Sequence, residues 1–120
     1  MAQVVGIIDL VWNGTKVAIK PGSGSLKIGG LVNKEITAGR SIHRAQLMQP
    51  AEVQGTTVLA KGQSLAALFD SDAHELQVVA DTGQSFIVSE AFLIDAGNLQ
   101  DKDGGDVKMT WRGTAAVEVL

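Results

Sequence analysis

The chain has no cysteine. That excludes a disulfide framework, a thiolate nucleophile and a cysteine-ligated metal. It has no tyrosine and only two tryptophans and three phenylalanines, too few for a stacking platform in which exposed aromatics alternate with basic residues. Trp111 falls in phase with Val107 and Met109 on the apolar side of an alternating segment, which assigns it to a core. No apolar run approaches the roughly 20 residues of a membrane helix. The N-terminal run lacks a basic flank and is broken by Asp9, so it reads as neither signal peptide nor span, and the chain is expected to be made and folded in a cytosol. Positive charge is scarce as well: 10 Lys and Arg against 13 Asp and Glu give a net charge of −3. This argues against a protein that grips nucleic acid by neutralising phosphates, although not against one that handles it without gripping.

What is present describes a β protein. The 120 residues, 45% of them hydrophobic, suffice for one domain with a core, and fourteen glycines point to many turns. Residues 4–12 are rich in Val, Ile, Leu and Trp; Asn13-Gly14 follows, and Val17 and Ile19 resume the apolar pattern. Asn-Gly between two such runs predicts a hairpin, because both turn residues must take positive φ. Residues 21–24 interrupt the second strand, which resumes over 25–28. Residues 29–41 have no clean period and carry Gly29, Gly30 and Gly39, so they read as a long inter-strand loop or arm. Residues 41–59 are extended, with Pro50 predicting an edge or a bend because it has no N–H to donate. Residues 64–70 predict one short helix, capped by Ser64 with Leu65, Leu68 and Phe69 on one face. Strands are expected over 75–80, 85–94 and 106–112, and 115–120 continues the last. The fold class is mainly β, a sandwich or partial barrel with one short α-helix.

The candidate chemistries fail on spacing. Asp101, Asp103 and Asp106 crowd Gly104 and Gly105, but a calcium loop read from Asp101 places glycine fifth, aspartate sixth and Arg112 twelfth, where the motif needs an oxygen ligand, a glycine and a bidentate glutamate. The stretch is a turn launching a strand. The glycine-rich 21–30 segment lacks the Gly-Lys-Ser/Thr ending of a phosphate loop, and Lys27 stands where a dinucleotide pattern needs glycine. His43 and His74 are isolated: neither has a histidine at i+4, and Glu75 beside His74 points to the opposite strand face. No G-x-S-x-G elbow occurs. No catalytic residue, cofactor or metal is expected.

Packing gives the remaining signal. In a two-layer β domain most strands show one wet face, yet residues 4–12 are apolar on both, with Val4, Ile8, Leu10 and Trp12 on one side and Val5, Ile7 and Val11 on the other. Residues 91–94 repeat this, and Leu31, Val32 and Ile36 sit in the glycine-flanked segment. Surplus apolar surface marks interfaces. We therefore expect Val5, Ile7, Leu31, Val32, Ile36 and Ile42 to face other subunits. The alternative is a monomeric small-ligand-binding or enzymatic β-barrel.

The order of the pieces adds to this. An N-terminal strand runs into Trp12-Asn13-Gly14-Thr15, followed by a Gly/Ser break and Leu26-Lys27-Ile28-Gly29-Gly30. Then come Lys34-Glu35-Ile36-Thr37-Ala38-Gly39, Ile42-His43, Pro50 and Val53-Gln54-Gly55-Thr56-Thr57. Ser64-Leu65-Ala66-Ala67-Leu68 leads into two strands, and Glu90-Ala91-Phe92-Leu93 precedes the glycine-rich turn and the strand Val107-Lys108-Met109-Thr110-Trp111-Arg112-Gly113. This order resembles the tail tube proteins of bacteriophages, the Mu-like family in particular, over about residues 4–115. The resemblance implies stacked six-membered rings forming a hollow tube that carries DNA out of the capsid. Each subunit would add strands to a continuous inner β-barrel, with the helix outside and the 29–41 arm reaching a neighbouring ring or subunit. It implies a tape-measure protein inside, a terminator and baseplate or tip proteins at the ends, a sheath if the tail contracts, and a place in the virion tail. Related folds form the tubes of contractile secretion machines. Glu75 and Gln77, on the polar side of one strand, and Ser85 on the next are the expected lumen-facing residues. Lys108 and Arg112 form a basic side expected to lie outside the lumen or in an ion pair.

Overall fold

The structure is a computed structural model and describes residues 6–59, 61–62, 64, 69, 72–94, 99–101 and 106–119. Eleven strands occur among these residues: β1 (Ile8–Trp12), β2 (Thr15–Val17), β3 (Ser25–Lys27), β4 (Gly30–Ala38), β5 (Ser41–Gln49), β6 (Ala51–Val58), β7 (His74–Ala80), β8 (Ser85–Leu93), β9 (Leu99–Gln100), β10 (Asp106–Gly113) and β11 (Val117–Val119). No helix occurs among the described residues. The short helix expected over 64–70 falls, except for residues 64 and 69, outside them, so it gains no support. Val5 also lies outside them.

Nine strands hydrogen-bond in the order β2-β1-β7-β8-β10-β6-β3, with β11 on β8 and β9 on β10. Among the described residues the path does not close, so they form an open antiparallel sheet rather than a sealed barrel. The β1–β2 turn is the Asn-Gly hairpin: Trp12 pairs with Thr15, and Asn13 and Gly14 have φ of 53° and 76°, the doubly positive geometry that suits strand twist. β8 turns the corner. Its Ser85–Ile87 portion pairs with β7 and β11, while Phe92 and Leu93 pair with β10. Between these portions its register against β7 slips by one residue, with His74 opposite Ala91 but Leu76 opposite Val88. Glu90 sits at this bulge with φ of 54°. Such a bulge bends and twists the strand. Thr114 donates its backbone N–H and its hydroxyl to the Ser89 carbonyl there.

Period-two burial builds the core. Along β6, Ala51, Val53 and Thr57 point inward, and along β7 Leu76, Val78 and Ala80 do the same. Val107, Met109 and Trp111 of β10 are buried together with Leu10, Trp12, Val88 and Ala91. Trp12 and Trp111 meet edge to face with ring centroids 5.9 Å apart, and His74 packs edge-on against Trp12 at 5.6 Å, the geometry aromatic quadrupoles favour. The inside of the fold is therefore filled by indole rings and aliphatic chains.

Strands β4 and β5 stand apart as a two-stranded hairpin in nine-pair register from Gly30↔Gln49 to Ala38↔Ser41. The 29–41 segment is thus mostly strand, and its partner strand extends the arm to Gln49. The root is a fixed elbow. Gly29 has φ of 72°, and a Cβ there would stand 2.6 Å from the backbone of Pro50 and Ala51. Eight steps of extended chain carry the arm about 27 Å outward. The radius of gyration, 17.0 Å, exceeds the roughly 14 Å of a compact domain of this length.

Candidate assembly surfaces

An isolated two-stranded hairpin is marginal in water, and this one carries exposed apolar residues on both faces. Register places Val32, Lys34, Ile36 and Ala38 beside Leu47, Ala45, His43 and Ser41 on one face. The other carries Leu31, Asn33, Glu35 and Thr37 beside Met48, Gln46, Arg44 and Ile42. Leu31 is 64% exposed, Ile42 73% and Met48 73%, while Val32 and Ala45 are half-buried. Of the residues expected at an interface, Leu31, Val32, Ile36 and Ile42 all lie on this arm, split between its two faces. Ile7 is exposed at the approach to β1, away from the arm. Sequence reasoning missed Leu47 and Met48 because β5 read as part of the main sheet. Ile28, Val117 and Val119 are further exposed apolar side chains it did not single out.

The main sheet offers two outer faces of different character. One is formed by β2, β1, β7, β8 and β11. Register puts Lys16, Val11, Asp9, Glu75, Gln77, Val79, Ser85, Ile87, Val117 and Val119 on it. Glu75, Gln77 and Ser85 therefore share one outer surface. Gln77 Nε2 donates to Glu75 Oε1 at 3.1 Å, and Lys16, the basic residue of this face, stands 4.0 Å from Asp9. The other outer face, on β3, β6 and β10, is polar and more basic, with Lys27, Glu52 and Arg112 in one cross-strand row and Lys108 farther along. Arg112 Nη2 lies 4.0 Å from Glu52 Oε2, one of the two placements expected of it, and Gln54 Nε2 donates to Glu52 Oε1 at 2.8 Å. Asp106, the last of the aspartates in the glycine-rich turn, is half-buried and paired with Lys20. The Lys20 N–H donates to the Thr56 carbonyl, which closes residues 18–24 onto β6.

Concave regions are surface grooves. One, about 610 Å³, lies at the elbow and is lined by Ile28, Leu31, Val32, Pro50, Glu52 and Arg112 among others. Another, about 280 Å³, runs beside β1 past Ile7, Ile19 and Pro21. Among the described residues no three His, Cys, Asp or Glu side chains converge as metal ligands, and no helix is long and apolar enough to cross a membrane.

The family described as phage tail tube protein matches residues 1–118 of the chain. The chain belongs to that family. A tail tube protein is a structural component of the virion tail and not an enzyme. Solved structures share the fold. The sheath/tube terminator of an extracellular contractile injection system (PVC, extended state) aligns with a TM-score of 0.73 at 11% identity, covering 100% of this chain and 98% of the other. The tube-terminating cap of the anti-feeding prophage aligns at 0.71 and 11% identity, covering 100% and 94%. A chain of the PVC sheath–tube complex in its extended state aligns at 0.66 and 11%, covering 94% and 88%. No curated protein sequence matches this tail tube protein.

Proposed function

We propose that copies of this tail tube protein close into six-membered rings, that the rings stack into a hollow tube, and that phage DNA leaves the capsid through it. The observation that carries the reading is the unpartnered β4–β5 arm, which bears exposed apolar residues on both faces and is held out by its elbow. Surface area supports it. The chain exposes 8123 Å², whereas a compact monomer of its mass exposes about 6,200 Å². The surplus, roughly 2,000 Å², exceeds twice the ~800 Å² a subunit contributes to a standard interface. A ring member with neighbours on both sides needs that much. The open ends of the strand path offer edges for pairing across subunits, and closure into a common barrel removes them.

Charge selects the lumen. Duplex DNA presents about one negative charge per 1.7 Å of axis, so a conduit must not offer free cations. The face bearing Glu75, Gln77 and Ser85 suits the channel, because its one basic residue stands beside Asp9. The face bearing Lys27, Lys108 and Arg112 suits protein contacts. Six copies at −3 each give a ring of −18. A terminator at the end, tip proteins opposite, a tape-measure protein inside and, in a contracting tail, a sheath complete the proposed set of partners. Negative-stain microscopy of the concentrated protein tests the reading: rings with six-fold end views and hollow rods are expected. A particle that stays monomeric at high concentration and in the presence of tail-tip seeds overturns it.

A further inference from the structure

The β1–β2 turn carries a chemistry that its structural role leaves unused. Asn-Gly occurs once in the sequence, at Asn13-Gly14. The side-chain amide carbon of an asparagine is an electrophile within reach of the next backbone nitrogen, and attack by that nitrogen closes a five-membered imide. A side chain on the following residue crowds the attack, and glycine removes it. Both reacting groups are uncommitted in the structure. Asn13 and Gly14 are exposed. Among the described residues neither the Asn13 side chain nor the Gly14 N–H has a hydrogen-bond partner. No atom lies within 4 Å of a Cβ built on Gly14, so a ring formed there has open space beside it. Asn13 is anchored only through its own backbone N–H, which donates to the Glu75 carbonyl at 3.1 Å.

The doubly positive turn holds the two residues in hairpin geometry rather than imide geometry, so reaction requires the turn to open. That opening is local. β2 lies at the end of the strand path, is joined to β1 by three register pairs, and has Thr15 and Lys16 exposed. Lys16 stands 4.0 Å from Asp9, a surface pair that adds little. An edge element held this lightly opens far more often than the whole domain unfolds.

We propose that Asn13 is a self-modifying site, at which attack by the Gly14 nitrogen turns the amide into a carboxylate and loosens the edge of the sheet. The Gly14 nitrogen loses its proton as the N–Cγ bond forms, and the Asn13 side-chain nitrogen leaves as ammonia. Water then opens the imide. Cleavage of the N–Cγ bond gives aspartate, and cleavage between the Asn13 carbonyl carbon and the same nitrogen gives isoaspartate. The sum is hydrolysis of an amide, with no change of oxidation state. Either product takes the formal charge of the chain from −3 to −4. The new carboxylate lies in a groove that Asn13, Gly14, Glu75 and Gln77 line together. On the channel assignment proposed above it adds negative charge to the wall, and only that consequence rests on the assignment. Isoaspartate also inserts one more carbon into the main chain. The length of a hairpin loop fixes strand register, so the longer loop releases the pairs Trp12↔Thr15, Val11↔Lys16 and Leu10↔Val17.

The test uses the full chain, incubated folded at mildly alkaline pH and mapped by peptide mass spectrometry, beside a urea-unfolded sample. Asn13 should be the dominant deamidated residue, converting at least ~10-fold faster than exposed Asn33, which precedes Lys34 rather than glycine. Its rate should rise about tenfold per pH unit, because the attacking nitrogen must be deprotonated. The native rate should lie within about 1,000-fold of the unfolded one, faster than global unfolding, populated at about 10⁻⁴ or less, can supply. Asn13→Gly keeps a residue that accepts positive φ and should remove the main acidic species from ion exchange. In the isoaspartyl fraction the β2 amides should exchange hydrogen at least ~10-fold faster than in the unmodified chain, with β6 and β10 unchanged. Asn13 left intact, or converting no faster than Asn33, overturns the site. A native rate slower than the stated bound, or β2 amides still protected in the isoaspartyl fraction, overturns the loosening of the edge. None of these readouts needs rods, so they stand or fall separately from the tube reading.

Discussion

Replacing Gly29 with alanine should damage the molecule far more than replacing Gly39, although both glycines have positive φ. At Gly39, in the tip turn, φ is 61° and no atom lies within 4 Å of a built Cβ. The cost is the left-handed backbone alone, about 1 kcal/mol. At Gly29, φ is 72°, and the new carbon would lie 2.6 Å from Ala51 N, 2.6 Å from Pro50 C and 2.8 Å from Gln49 O. These are backbone atoms and cannot rotate aside. Overpacking of this kind adds about 1–3 kcal/mol, so the total is about 2–4 kcal/mol. Pro50 leads directly into β6, whose alternate residues are buried, so the displacement is transmitted to the core. At about 4 °C per kcal/mol for a domain of this size, the midpoint of unfolding falls by roughly 8–16 °C for Gly29→Ala and by about 4 °C or less for Gly39→Ala. Thermal melts followed by the fluorescence of buried Trp12 and Trp111 measure both. Equal losses for the two variants, or a Gly29→Ala loss under about 0.5 kcal/mol, would show that the elbow is not the tight crossing described.

Trp111→Ala should cost about 3–5 kcal/mol, because the ring is fully buried against Trp12; urea unfolding checks it, and a loss under 1 kcal/mol would place the ring outside the core. Ile36→Asp and Leu47→Asp in the arm should leave the melting midpoint within about 2 °C, since both side chains are exposed in the single chain, yet abolish rods in negative stain. Glu75→Lys with Gln77→Lys should leave rod assembly intact but slow DNA release from assembled virions, read by dye uptake into ejected DNA; unchanged release would move the lumen to another face.

Much of the sheet was legible in the sequence because local rules act there. Asn13-Gly14 announced its turn through the need for two positive φ angles, and the alternation Val107, Met109, Trp111 announced an inward-facing row that the structure buries. The tail tube resemblance likewise rested on the order of such segments. The arm was less legible. Residues 41–49 alternate too weakly to mark a face, because both faces of the arm are largely exposed in the single chain and no burial within it selects a pattern. The bulge in β8 left no trace either: Glu90 is not a residue type that signals a left-handed backbone, and its register slip is visible only against β7. Glu75, Gln77 and Ser85 could be grouped because period two places alternate residues on one face. Finding Lys16 beside Asp9 on the same face required the β1–β2 register.

The splice point of the arm has a mechanical meaning. Its two strands are inserted between β3 and β6, and β6 is held along its length by eight register pairs with β10. Tension applied at the arm and directed along β6 therefore loads that ladder in shear, with its hydrogen bonds sharing the force together, instead of peeling them apart in turn.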